Sequence, residues 1–172
     1  MMAKLSANKN IGRTNCVAID DSESSQYAFQ WYIKNYHKPE DTLVLIHIHQ
    51  IPHTGAFGLM YTKLEHSEIL QTTLEYSIKK SKNLMSKYAA ECIKNNVKYK
   101  CVLEDDIKAP GQMICDISKE NEANLLVIGQ KRIGSEFIGK TCNYVLKNSS
   151  TPVLMVPYSW RLKNRKNSLN MD

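Results

Sequence analysis

A chain of 172 residues, 42% hydrophobic and 23% charged, has the size of one globular domain that can bury a core without disulfides or metals. Its apolar runs fall well short of the roughly 20 residues that cross a bilayer, and MMAKLSANKN lacks a continuous apolar signal segment, so we expect a cytoplasmic protein with no membrane partner. The net charge of +6 resides at the ends, with +3 on residues 1–13 and +3 on 158–172, which argues against a specific nucleic-acid face and predicts flexible basic segments over 1–12 and 158–172 around one domain at 13–157.

Five short apolar or β-branched runs alternate with helical stretches, the pattern of βαβ units. The first is TNCVAI. After it, Asp20-Asp21-Ser22 offers an N-cap, either Ser or Asp, for a helix through SSQYAFQWYIKN that Pro39 stops. The apolar stripe of that helix is Ala28, Phe29, Trp31 and Tyr32. The second strand is TLVLIHIH, and the loop IPHTGAFGLMYT behind it carries two glycines, suiting either a lid or a plain connector. A long helix is predicted over about 62–95, with Leu70, Leu74, Ile78, Met85, Ala89 and Cys92 as core contacts.

The third strand, VKYKCVL, is followed by Glu104-Asp105-Asp106, read as a solvated acidic edge. Pro110 suits the first position of a helix through Met113, Ile114 and Ile117. NLLVIG is the fourth strand, a helix is predicted from about Gly139 to Asn148, and PVLMVP closes the series. TLVLI and NLLVI are apolar at successive positions, so both of their faces must be covered. The fold class expected is therefore α/β, a parallel sheet sandwiched between helix layers.

The five cysteines, Cys16, Cys92, Cys101, Cys115 and Cys142, are odd in number and contain no CxxC pair, so we expect reduced, mostly buried thiols with no disulfide or zinc site. Cys142, in the first turn of the last helix beside Lys140, is the best placed for redox sensitivity, against a default of buried and inert. His47 and His49 share a strand face and with His53 could frame a metal site, but satisfied histidines at the end of a buried strand are the default. Asp21 and Ser22 read as helix-capping residues.

Ligands of doubly wound sheets collect beyond the carboxyl ends of the strands, where the strand order reverses. That rule brings together Asp20-Asp21-Ser22, His47-Ile48-His49 and the stretch from Ile128 to Thr141, IGQKRIGSEFIGKT. Glycines let a backbone approach phosphates, and the amides opening a helix favour negative charge.

The order and spacing of VAIDDSESSQYAFQW, LVLIHIHQIP, KAPGQMICDISKENEANLLVIG and GKTCNYVLKNSSTPVLMVP resemble the universal stress protein family over about 14–157. The resemblance implies a Rossmann-like fold with a five-stranded parallel sheet in the order 3-2-1-4-5, frequent dimers through the fifth strand, and members that either bind ATP or do not. It implies that Asp20 would hold the adenine or ribose region and Ile48 would line the adenine pocket. The family's phosphate loop is glycine, two residues, glycine, nine residues, glycine, then serine or threonine. Here Gly129 matches the first glycine, Arg132 stands at the second, six residues then precede Gly139, and Lys140 stands at the hydroxyl position. Gly134 offers a glycine in another register.

Two readings of that loop stay open. Arg132 and Lys140 could fill the phosphate site, or Lys131, Arg132 and Lys140 could replace lost amide and hydroxyl contacts with charge-assisted hydrogen bonds. The expectation adopted is an adenine-nucleotide site of Asp20, Ile48, Ile128, Gly129, Lys131, Arg132, Gly134, Gly139, Lys140 and Thr141. It would take ATP, or AMP or ADP, with magnesium arriving on the nucleotide. The function expected is a stress-response regulator, non-catalytic or slowly hydrolysing, dimerising through Val153, Leu154, Met155 and Val156. The alternative is a dimerising interaction module that has lost nucleotide binding. A phosphotransferase comes third, for want of a recognisable base and metal carboxylates.

Overall fold

A computed structural model describes residues 12–51, 63–131 and 138–158, with side chains for all of these except 63–69 and 131. The basic end segments, the glycine-containing loop at 52–62 with His53, and Arg132 and Gly134 lie outside the described residues. The elements are β1 (Thr14–Ala18), α1 (Glu23–Asn35), β2 (Thr42–His49), α2 (Lys63–Lys94), β3 (Lys98–Asp105), α3 (Pro110–Glu120), β4 (Leu125–Lys131), α4 (Lys140–Asn148) and β5 (Val153–Tyr158). The five strands form one parallel sheet in the order β3-β2-β1-β4-β5, the Rossmann-like arrangement expected.

The period-two alternation of the strands builds two cores. Val17, Leu43, Leu45 and Val127 face Ala28, Phe29 and Tyr32 of α1 and Met85, Tyr88 and Cys92 of α2. Cys16, Val44, Ile46, Ile48, Leu126 and Ile128 face the other way, onto Met113, Ile114 and Ile117 of α3 and Cys142 and Val145 of α4. Leu43, Leu45 and Ile46 are almost wholly inaccessible, and burying each such side chain contributes about 1.5–3 kcal/mol.

Local chemistry sets the element ends. Ser22 caps α1 by accepting the Ser25 amide at 3.2 Å, and α1 stops at Asn35, before Pro39 is reached. Helices α2 and α3 end alike. Asn96 (φ 54°) and Glu122 (φ 49°) turn left-handed, and the amides of Val97 and Ala123 reach back to the carbonyls of Cys92 at 2.9 Å and Ser118 at 3.0 Å. Pro110 opens α3 as expected.

Helix α2 departs from the predicted pattern at its front. Leu70 is 38% exposed, and among the described side chains of α2 the first buried one is Ser81, because a 32-residue helix of about 1.5 Å per residue outruns the sheet it packs on. The acidic run is also different from expectation: Glu104 and Asp105 belong to β3, and Asp105 and Asp106 both accept hydrogen bonds instead of forming a merely solvated edge. No helix among the described residues is long and apolar enough to cross a membrane.

Candidate functional site

The strand order reverses at β1, whose neighbours β2 and β4 leave in opposite directions, and the chain opens a crevice there. A cavity of about 140 Å³ is bounded by Ile19, Asp20 and Ser22 after β1, Ile48 of β2, Ile128 and Gly129 of β4, and Thr141 and Cys142 of α4. A second cavity of about 530 Å³ lies against α2 and shares Asp20, His47, Ile48 and Gln50 with the first.

Asp20 is exposed at the mouth of both. Its Oδ1 accepts the Ser22 amide at 2.9 Å and the Ser22 hydroxyl at 2.5 Å, an Asx turn that fixes the carboxylate ahead of α1. Its own amide donates to Ser25 Oγ at 2.9 Å, and its carbonyl accepts from the Tyr88 hydroxyl at 3.4 Å. Among the described residues none hydrogen bonds to Oδ2, so that oxygen is available to a hydroxyl-bearing ligand. Asp21 serves elsewhere: Lys80 Nζ lies 2.8 Å from its Oδ2 and holds that carboxyl below the usual carboxylate range.

Apolar walls come from Ile48 and Ile128, both buried on the α3/α4 face of the sheet. Gly129 is required by packing. A Cβ there would stand 2.3 Å from the Ser24 carbonyl oxygen and 2.9 Å from the Ser25 amide nitrogen, so β4 and the first turn of α1 meet only through a glycine. Gly139 caps α4 and is different: its φ is −55°, and a Cβ would meet nothing within 4 Å. No protein contact among the described residues accounts for that glycine. Lys140 is exposed at the first position of α4, and Thr141 lines the crevice.

The sequence thus assembles Asp20, Ile48, Ile128, Gly129, Gly139, Lys140 and Thr141 around one end of the sheet. Lys131 ends β4, while Arg132 and Gly134 fall outside the described residues, so the cations expected to compensate for the altered loop are placed only at Lys140. Cys142 follows the default of a buried thiol and not the redox-sensitive reading. Its side chain is buried, its thiol donates to the Gly129 carbonyl at 3.4 Å, and burial together with the Asp20 charge pushes its pKa up, the opposite of an activated thiol at a helix start.

Both strand-end histidines are engaged. His47 Nδ1 lies 2.9 Å from the Ile19 carbonyl oxygen and Nε2 lies 3.1 Å from Ser81 Oγ. His49 Nδ1 lies 2.8 Å from Asp105 Oδ1 and Nε2 lies 3.0 Å from Ser77 Oγ. Sequence reasoning missed the α2 wall of the larger cavity, made by Ser77, Lys80, Ser81, Leu84 and Lys87. A signal existed: Ser77 and Ser81 interrupt the apolar stripe of α2 between Leu74 and Met85, opposite the two histidines.

Comparison with known proteins agrees with this architecture. The universal stress protein family model matches residues 13–157. Among solved structures, the UspA universal stress protein of Lactobacillus plantarum superposes with a TM-score of 0.64 at 17% identity, covering 84% of this chain and 97% of that one. A universal stress protein family protein of Arabidopsis thaliana with AMP bound gives 0.60 at 16% identity, over 87% and 94%. The Archaeoglobus fulgidus universal stress protein in complex with dAMP gives 0.57 at 19% identity, over 84% and 98%. A comparison with curated protein sequences finds no match. With a family match spanning nearly the whole described sheet and its helices, the chain belongs to the universal stress protein family.

Proposed function

We propose that this chain is a nucleotide-responsive regulatory protein that binds an adenine nucleotide in the crevice at the carboxyl ends of β1, β2 and β4. The observation that carries the reading is the convergence of Asp20, Ile48, Ile128, Gly129 and Thr141 on one cavity, at the place where the strand order reverses. Asp20 Oδ2 would accept from a ribose hydroxyl, Ile48 and Ile128 would flank the base, and the first amides of α4 with Lys140 would face the phosphates. Relatives of the same fold crystallised with AMP and with dAMP support the class of ligand.

The reading assigns the crevice no dedicated machinery for hydrolysing the nucleotide. Asp20 is assigned to the ribose, with Oδ1 held in an Asx turn, and burial raises the pKa of the Cys142 thiol, so neither is proposed as a base at a phosphate. We further infer a cytoplasmic homodimer through β5, supported by the position of that strand at the edge of the sheet, where its outer side pairs with no described strand.

Calorimetric titration of AMP and of ATP, each with and without magnesium, into the protein and into Asp20→Ala tests the reading. Binding that the variant weakens by about 1–3 kcal/mol supports it. No heat and no thermal shift at millimolar nucleotide would instead favour an interaction module whose loop, with Arg132 and Lys140 in place of glycine and a hydroxyl, has closed the phosphate site.

A further inference from the structure

The larger cavity, against α2, has chemistry that the nucleotide reading leaves unused. Around it, three side chains from three elements stand in a line. His49 and Asp105 are register partners at the ends of β2 and β3, and Ser77 meets them from α2. The contacts are 2.8 Å between Asp105 Oδ1 and His49 Nδ1 and 3.0 Å between His49 Nε2 and Ser77 Oγ. The His49 side chain is 4% exposed, so packing fixes the ring.

A carboxylate on one ring nitrogen holds the proton there and turns the lone pair of the other towards a hydroxyl, which is how a serine is made nucleophilic. The neighbouring pair provides a contrast. His47 makes the same ring-to-serine contact with Ser81, but its other nitrogen faces the neutral Ile19 carbonyl, so no carboxylate is hydrogen-bonded to that ring.

We propose that Ser77, His49 and Asp105 form a second site, adjoining the nucleotide crevice, that takes the acyl group of small activated esters. Ser77 Oγ attacks the ester carbonyl carbon while its proton passes to His49 Nε2. The carbon–oxygen bond to the alcohol then breaks, and the alcohol leaves with the proton held by His49. Water cleaves the resulting Ser77 ester: its hydroxyl joins the acyl carbon as the acid, and its other proton returns through His49 to Ser77 Oγ.

Three features bear on the step. The cavity, at about 530 Å³, is within the size range of small-ligand sites. Lys80 stands one turn from Ser77 on the same face of α2, its Nζ held by Asp21 at 2.8 Å, and both Lys80 and Gln50 line the cavity. Ser77 lies in the helix interior, where its amide is spent on the helix and its hydroxyl has a competing acceptor in the Leu74 carbonyl at 2.8 Å. Turnover is therefore slow, and acylation of Ser77 is the event to measure.

The native full-length protein is incubated with a fluorophosphonate ester, the adduct is located by peptide mass spectrometry, and hydrolysis of p-nitrophenyl acetate is followed in parallel. The expected result is one adduct per chain on Ser77, absent in Ser77→Ala, formed about tenfold or more slowly in Asp105→Asn, and unchanged in Ser150→Ala, an exposed serine outside both cavities. Asp105 is 62% exposed, so its asparagine variant keeps the fold, which a melting curve checks. No adduct on the native chain, an adduct on another residue, or an undiminished rate in Asp105→Asn would each overturn the proposal. Labelling requires no nucleotide, so its failure is independent of the calorimetric result.

Discussion

Gly129 lies directly beneath Ser24: a Cβ on the glycine would come within 2.3 Å of the serine carbonyl oxygen. The obstacle is backbone on both sides, so no rotamer change relieves it. Gly129→Ala must push the first turn of α1 off β4, at a cost of about 1–3 kcal/mol. The same movement displaces the Asp20 turn from the crevice. Urea denaturation should show a lowered midpoint with an unchanged slope, and nucleotide affinity should fall with it. Gly139→Ala, where no described atom crowds the site, should leave the midpoint within about 0.5 kcal/mol, and any loss of nucleotide affinity there reports on ligand contact.

Thiol reactivity should follow burial. Cys101 is exposed, Cys115 is half-buried, and Cys16, Cys92 and Cys142 are buried. Burial pushes Cys16 and Cys92 up to about 12, so neither supplies thiolate at neutral pH in the folded chain. A chromogenic disulfide reagent should modify Cys101 first and leave Cys16 and Cys92 untouched until denaturant is added. Early loss of Cys142 would restore the redox reading that its burial now opposes.

Two ion pairs should behave oppositely. Asp21 and Lys80 meet at 2.8 Å with both side chains more than half exposed, so Lys80→Ala should leave the melting temperature unresolved from that of the parent. Asp41 is 2% exposed and joins Arg13 at 2.5 Å, while Asn15 Nδ2 donates to it at 3.3 Å and the Lys38 amide at 3.2 Å. Asp41→Ala strands a half-buried guanidinium and several donors, and should cost about 3 kcal/mol or more, measured by chemical denaturation.

The fold was legible because its strands are short, apolar and separated by helices of ordinary pattern, so both cores follow from period two and period 3.6. The crevice was legible because topology alone sends Asp20, Ile48 and Gly129 to one end of the sheet. Two things were hidden. The overhang of α2, which exposes Leu70, depends on the length of the sheet beneath it and leaves no trace in spacing. The Ser77–His49–Asp105 line joins residues far apart in the chain, and Asp105 read as part of a solvated run until β3 was seen to extend through it.

The free edge of β5 tests assembly. Leu154 packs on the α1/α2 side, whereas Val153 and Met155 pack on the α3/α4 side, all three remaining half-buried. A second copy covering this edge would bury what they still show. Leu154→Lys should weaken association about tenfold or more in sedimentation equilibrium. A melting curve is needed alongside, since Leu154 also supports the core. An unchanged dimer in a folded variant would remove β5 as the interface.

Acid should lower the stability of the protein over two pH windows, both arising at the amino-terminal end of the sheet. Burial pushes His37 below its ordinary value, and the nearby Asp41 charge recovers only part of the shift. The folded chain therefore resists this proton more than the unfolded chain does. The stability His37 contributes is complete above about pH 6.5 and declines as pH falls below it. Burial alone would raise Asp41, but the guanidinium and amide of Arg13 outweigh it and hold the carboxyl below its ordinary value. Its contribution is complete above about pH 4 and is lost as pH drops through the folded value. Melting temperature should thus slope gently below pH 6.5 and steeply below pH 4. His37→Gln should flatten the first slope and keep the second, and Asp41→Asn should start lower and lose the second. A His37→Gln profile parallel to that of the parent would show that another group governs the upper window.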